Sequence, residues 1–299
     1  MGAISNQMSM RYPGSFALAL AALALASPRA WADGPFVSVT ESTAWQDNVT
    51  YAPKGDGIKG AFDFDSGVDV AWLRSLDFST LLVTGLQADV DVCSTYGGLD
   101  CVRAGPTLRL SHKFGLGPLA PLVYTGLAGT ACGFDDSERS KIEGDFLVGF
   151  SQRLSDAFQV ALDGRLGSYD AQDIVFTGNY ASLDASLNWD LSETWRVKVL
   201  AGWRNGDLVS NYAAEESPYG WIGIDPKSLE LPGAWHYVGT FHAPYVAYRV
   251  SSVTWSYGLG VSPAIGPHTS LALEFHHYVS PGFDRYLDNV VSVSLAHRF

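Results

Sequence analysis

Three groups of residues have the types and spacing that hydrolytic chemistry needs. His268 and Ser270 form an H-x-S pair, and on a β-strand this spacing places both side chains on one face. A histidine beside a serine can act as the general base that activates the hydroxyl for attack on an ester. The pair lies at a predicted periplasmic turn over 262–269, away from the outer-leaflet lipid, and this position weighs against a catalytic dyad.

The second group is in the last hairpin, where His277 could act as a base and Asp284 or Asp288 as the supporting acid. This stretch resembles the final hairpin of lipid A 3-O-deacylases, in which a His-x-Ser pair and a downstream acid form the hydrolytic site. The resemblance implies ester cleavage, with His277 as the general base. The sequence departs from that pattern because Val279 stands in place of the serine. Ser280 comes one residue late, so it faces the other side of a strand unless a bulge re-aims it.

The third group lies in the long segment 205–245, which carries Glu215, Glu216, His236 and His242. Paired acids that meet a histidine could activate a water for peptide cleavage, an arrangement similar to the site of omptin proteases. No motif links these residues, so the sequence does not favour an enzyme. It also predicts no cofactor, and no metal site is expected because the seven histidines are scattered.

The N-terminus predicts a secretory signal peptide over residues 1–32. Arg11 precedes an apolar run from Phe16 to Ala26, which is too short to span a bilayer as a helix. Ala30-Trp31-Ala32 then provides an A-x-A cleavage site. Residues 33–299 are therefore expected to form the mature domain.

Beyond residue 33 the hydrophobic pattern has a period of two, which is typical of β-strands with one polar face. The clearest example runs from Trp195 to Arg204. The twelve predicted strands cover 36–46, 62–73, about 82–92, 102–114, 122–132, 144–154, 158–169, about 183–189, 195–204, about 246–261, 270–279 and 288–299. Short turns alternate with longer loops along the chain, as in outer-membrane barrels. The sequence thus predicts an all-β fold, a transmembrane antiparallel up-and-down β-barrel.

The predicted strand count is about twelve. A second strand pair near Trp221 to Ile224 and His236 to His242 would raise it to fourteen. We favour twelve because the Trp221 stretch is too short to cross a bilayer.

The last strand, 288–299, alternates apolar and small or polar residues and ends on Phe299. It resembles the C-terminal signal of Gram-negative outer-membrane β-barrels. The resemblance implies a place in the outer membrane, with outer-membrane lipids and the barrel-assembly machinery as partners. The chain has 31 acidic and 19 basic residues, a net charge of −12, which argues against nucleic acid as a partner. The oligomeric state is not indicated.

The polar faces of the strands carry charges that are expected to line the lumen. Acids fall on the second and third strands, and bases fall on the fourth and ninth. The predicted lining residues are Asp63, Asp65, Asp69, Asp89, Asp91, Arg103, Arg109, Lys113, Asp163, Arg165, Arg196, Lys198 and Arg204. Acids on one wall and bases on the other would hold a transverse field that orients polar solutes. Alternatively, such charges pair across the barrel and close it.

Two further features concern the outer mouth. The segment 205–245 is expected to constrict or cap it, with Glu215, Glu216 and Asp225 as candidate gating or solute-contact residues. Cys93 and Cys101 flank one loop, and the spacing permits a disulfide that would stabilise the fold by roughly 2.5 kcal/mol in the chain-entropy model. Cys132 would be left over.

The favoured function is a porin-like channel that passes small hydrophilic solutes by passive diffusion through a charge-lined lumen. The first alternative is a structural or surface-interaction barrel with a closed lumen. The second is a lipid-directed hydrolase at the outer rim. In the favoured interpretation the protein is not an enzyme.

Overall fold

The computed structural model describes residues 35–53, 57–213, 235–238, 240–241, 245–281 and 285–299. The predicted signal peptide lies outside these residues. Within them, no helix is long and apolar enough to cross a membrane.

Thirteen strands form one antiparallel sheet. They are β1 (Phe36–Gln46), β2 (Ala61–Ser75), β3 (Thr80–Cys93), β4 (Cys101–Lys113), β5 (Leu122–Phe134), β6 (Lys141–Arg153), β7 (Phe158–Ala171), β8 (Gly178–Asp190), β9 (Trp195–Ala213), β10 (Trp235–Val238), β11 (Tyr245–Pro263), β12 (Thr269–Ser280) and β13 (Tyr286–Arg298). Each strand pairs with its neighbour in the chain, except that β9 pairs with β11 and the four-residue β10 pairs only with β11. Strand β13 pairs with β1, which closes a barrel of twelve strands. The predicted fold class and strand count are confirmed.

Closure satisfies the backbone hydrogen bonds that an open sheet edge would leave exposed to lipid. The longest ladder joins β9 and β11, from Trp195 opposite Pro263 to Ala213 opposite Tyr245. The predicted loop over 205–245 is therefore wrong at its start, because residues 205–213 continue β9. A Cβ at Gly206 would lie 2.4 Å from the carbonyl oxygen of Asn179, so only glycine fits this close approach of β8.

The outward face of the barrel is apolar and aromatic, as lipid requires. Large side chains such as Phe62, Phe64, Leu127, Trp189 and Trp195 are exposed there rather than buried. The connections at one end are short, covering 76–79, 114–121, 154–157, 191–194 and 264–268, and we call this the inner end. The outer end carries the connections 47–60, 94–100, 135–140, 172–177, 214–244 and 281–285.

A small hydrophobic core lies at the outer end, where several connections meet. Its buried members are Val49, Ala61, Cys93, Tyr96, Val175, Phe176, Phe241, Tyr245 and Ala247. Arg139 joins this core, since its guanidinium lies 4.4 Å from the Phe176 ring centre and donates from Nε to Asp136 Oδ2 at 3.2 Å. Burial lowers the pKa of Arg139, and the Asp136 carboxylate opposes that shift. The connections therefore pack against one another over the mouth of the barrel.

Candidate functional site: the barrel lumen

The strand registers place all thirteen predicted lining residues on the inward face. Each alternates with outward side chains, as Asp63 and Asp65 do with the exposed Phe62 and Phe64. The same registers add inward charges that the sequence interpretation missed: Lys141, Glu143, Asp145, Arg153, Asp184, Asp190, Glu274, Asp288 and Arg298. Lys141 and Glu143 fall in the gap between the predicted strands 122–132 and 144–154. Asp145 and Asp184 lie on predicted strands, where the period of two could have revealed them.

Near the outer end, two acids share one base. Arg103 on β4 binds Asp65 on β2 through Nη2 at 2.7 Å, and its Nε binds Asp89 on the intervening β3. Arg103 and Asp89 are direct register partners. Acids and base therefore meet on adjacent strands of one wall, which differs from the expected arrangement of acids opposite bases.

Near the inner end, the stoichiometry is reversed, because two bases share one acid. Arg196 Nε binds Asp190 Oδ1 at 2.6 Å, and Arg153 binds the other carboxylate oxygen of Asp190. Close by, Lys198 Nζ lies 3.3 Å from Glu274 Oε1, and His276 Nε2 lies 3.1 Å from Glu274 Oε2. The inner end of the lumen is thus rich in cationic groups.

Tyrosines organise the charges between these two networks. The guanidinium of Arg109 lies 3.5 Å from the ring centre of Tyr124, whose hydroxyl donates to Asp163. In the same way, Arg204 lies 4.6 Å from the ring centre of Tyr180, whose hydroxyl bonds Asp145 at 2.8 Å. These contacts hold charged side chains against the wall.

The connection between β1 and β2 enters the mouth and crosses to β9. The carbonyl of Thr50 accepts from Asn211 N at 2.9 Å and from Asn211 Nδ2 at 3.0 Å. The hydroxyl of Ser210 donates to the carbonyl of Tyr51 at 2.8 Å. Tyr51 has a φ of 52°, a left-handed conformation that is uncommon outside glycine. We call residues 47–53 the inserted loop.

The base of the inserted loop is fixed to the barrel wall by Asn48. Its side-chain amide donates to the carbonyls of Ala52 and Leu287, both at 2.9 Å. Its backbone N–H donates to Asp288 Oδ1 at 3.2 Å. Because Asn48, Thr50 and Ala52 are fully buried, the loop is packed rather than spread on the surface.

Tyr51 forms part of the partition between two cavities in the outer half of the lumen, together with Gln46 and Arg204. It lines a cavity of about 370 Å³ together with Asp184 and Asp288, and a cavity of about 510 Å³ together with Asp63 and Glu143. A further cavity of about 890 Å³ opens at the inner end. Burial raises the pKa of the Tyr51 phenol, and the Asp288 carboxylate raises it further, so the ring sits in the partition uncharged.

The constriction was expected from the segment 205–245, and its candidate residues Glu215, Glu216 and Asp225 lie outside the described residues. The inserted loop instead brings Tyr51 to the border of both outer cavities, a feature that the sequence interpretation missed. An aromatic residue beside the one proline and three glycines of 47–60 is the sequence signal that could have indicated it.

Cys93, Cys101 and Cys132 are buried free thiols on the inward face. The predicted Cys93–Cys101 bridge is not formed in the structure. The ladder pairs Cys101 with Asp91, so Cys93 lies two residues further along β3.

The candidate hydrolytic groups are not assembled within the described residues. His277 faces outward and its Nδ1 lies 2.8 Å from Asn289 Oδ1, whereas Ser280 faces inward and donates to the carbonyl of Val253 at 3.1 Å. His277 and Ser280 therefore face opposite sides of β12, as expected, and no bulge re-aims Ser280.

The remaining candidates give no further support for catalysis. Asp284, Glu215, Glu216 and His242 lie outside the described residues, as does the side chain of His236. His268 lies in the inner-end connection before β12. Within the described residues, no group of histidine, cysteine, aspartate and glutamate side chains could hold a metal ion.

Comparisons with solved structures show what the barrel is similar to. An outer membrane channel from Pseudomonas putida F1 matches with a TM-score of 0.55 at 10% identity, covering 91% of this chain and 99% of that one. The NanC porin matches with a TM-score of 0.48 at 8% identity, covering 87% and 98%. The KdgM porin matches with a TM-score of 0.43 at 9% identity, covering 88% and 99%.

No family model matches the sequence, and no curated protein matches it. At such low identity, the structural likeness establishes architecture alone. That architecture is a closed ring of twelve antiparallel strands with lipid-facing apolar residues and a polar interior. On this evidence, the chain has the fold of a closed antiparallel β-barrel of twelve strands, similar in architecture to the outer membrane channel from Pseudomonas putida F1.

Proposed function

We propose that this barrel is a channel of the Gram-negative outer membrane that passes small hydrophilic solutes by passive diffusion. The observation that carries the proposal is the inward face, where charged and hydroxyl side chains line four cavities inside the barrel. A barrel filled by apolar side chains would leave no such polar path. The thirteen predicted lining residues would then contact the solute, with residues 1–32 serving as the export signal.

The inserted loop would set the size limit of this channel. Tyr51 borders both outer cavities, so in this proposal a solute that enters from outside would pass its ring. Because the loop is tied to β9 through Ser210 and Asn211, its position depends on a few hydrogen bonds. A solute would pass when these bonds open.

The test is single-channel recording of the protein purified from outer membranes and inserted in a planar bilayer. Tyr51→Ala is expected to raise the conductance because it joins the two outer cavities. Tyr257→Ala is the matched control, since Tyr257 is exposed on the lipid-facing side. An unchanged conductance in Tyr51→Ala would contradict the assignment of the constriction.

A closed structural barrel is the second candidate, and one observation favours it. The hydrophobic core at the outer end joins several connections over the mouth, which would stabilise a cap. A correctly folded barrel that carries no current would support this candidate against the channel.

A further inference from the structure

The charges on the inward face are sorted by their depth in the barrel. Asp184 lies at the midpoint of β8. In the outer half of the strands the acids predominate over the bases Arg103, Lys141, Arg165 and Arg204. These acids are Asp63, Asp65, Asp89, Asp91, Glu143, Asp145 and Asp288. In the inner half the bases predominate over the acids Asp69, Asp163, Asp190 and Glu274. These bases are Arg109, Lys113, Arg153, Arg196, Lys198 and Arg298.

Ion pairing leaves a difference in net charge between the outer and inner halves of the lumen. The outer network places two carboxylates on Arg103 and keeps a net negative charge, whereas the inner network places two guanidiniums on Asp190 and keeps a net positive charge. Among the described residues, Asp63 and Asp91 add to the outer charge without an ion pair of their own. The inner-end connections contribute Asp156 and Glu193 to the lining of the inner cavity, beyond the ring of bases.

We propose that the lumen is a bipolar channel that favours zwitterionic solutes, oriented with the cationic end outward and the anionic end inward. This inference rests on the proposed channel function. A simple cation is attracted by the outer half and repelled by the inner half, and a simple anion experiences the reverse. A small zwitterion at the junction of the two halves is stabilised there, because its dipole lies along the field of the lumen.

The first test is the current–voltage curve of the channel in symmetric salt. A lumen with opposite charges at its two ends conducts unequally at the two polarities, because one polarity accumulates mobile ions at the junction and the other depletes them. We expect rectification that weakens as salt rises and screening shortens. A linear curve at low salt from an open channel would overturn the bipolar assignment.

The second test measures solute flux through proteoliposomes with four probes of equal heavy-atom number: alanine, alaninamide, lactate and lactamide. These are a zwitterion, a cation, an anion and a neutral molecule. We expect alanine to permeate at least about threefold faster than alaninamide and lactate. A ratio of this size matches the small interaction energy between unit charges that are separated by water. Equal flux of alanine and lactamide, or faster flux of either ion, would overturn the proposal.

Variants separate this inference from the channel function itself. Asp63→Asn with Asp91→Asn removes outer charge without breaking an ion pair among the described residues, so alanine should lose its advantage over lactate. Asp91→Glu keeps the charge and is the matched control. A channel that conducts without rectification or alanine preference would refute only the bipolar lumen. A folded barrel that passes neither current nor any probe would refute the channel and the inference together.

Discussion

Breaking the tether of the inserted loop should shift the channel toward its open state. Ser210→Ala with Asn211→Ala removes the bond from Ser210 Oγ to the Tyr51 carbonyl and the bond from Asn211 Nδ2 to the Thr50 carbonyl. The backbone bond from Asn211 N to Thr50 remains. Each lost side-chain bond is worth about 1 kcal/mol. The closed state should therefore be destabilised by about 2 kcal/mol, which corresponds to about thirtyfold in the ratio of open to closed states.

Single-channel recording measures this ratio directly from the dwell times of the two conductance levels. Ser292→Ala serves as the control, because it removes an inward hydroxyl from β13 at a distance from the loop. Heat-dependent gel mobility verifies that each variant folds as a barrel. If the open-to-closed ratio of the double variant equals that of the wild-type protein, the hydrogen bonds to β9 do not hold the gate and the reasoning fails.

Three further predictions concern the charges, a turn and the thiols. Asp190→Asn should leave Arg153 and Arg196 without their shared acid. The reversal potential in a salt gradient should therefore move toward anion preference. An unchanged reversal potential would show that this network does not face the ion path. Asp77, outside the strands, accepts hydrogen bonds from Ser79 N and from Thr80, which lowers the pKa of its carboxyl. The stabilisation of the fold by this carboxylate is present above the unfolded-state pKa and is lost as pH falls through the lower folded-state pKa. Urea titrations should therefore show Asp77→Asn destabilised at neutral pH and matching the wild-type protein in acid, whereas a pH-independent difference would contradict this. Mass spectrometry after maleimide labelling of the unfolded protein, without reductant, should find all three cysteines modified; a single label would mean that a disulfide forms.

The strands were predictable because lipid outside and water inside impose a period of two on each strand. The boundaries of β1, 36–46, match the prediction at both ends. The outer part of β9 was missed because Asn205-Gly206 reads locally as a turn. Its strand conformation depends on pairing with β11, a partner that is distant in sequence.

The inward residue types were also predictable, whereas their partners were not. Arg103 was expected to stand opposite the acids, yet register places it beside Asp89. The inserted loop was missed for a similar reason. Its path is set by bonds to Ser210 and Asn211, which lie 159 and 161 residues away from their acceptors in the chain. Local sequence carries no signal for such contacts.

The central claim is that the lumen conducts, and single-channel recording of the purified wild-type protein in a planar bilayer tests it most directly. The account predicts steady current steps with an ion preference that changes when Asp63 and Asp91 are neutralised. A correctly folded barrel that carries no current under these conditions would contradict the account.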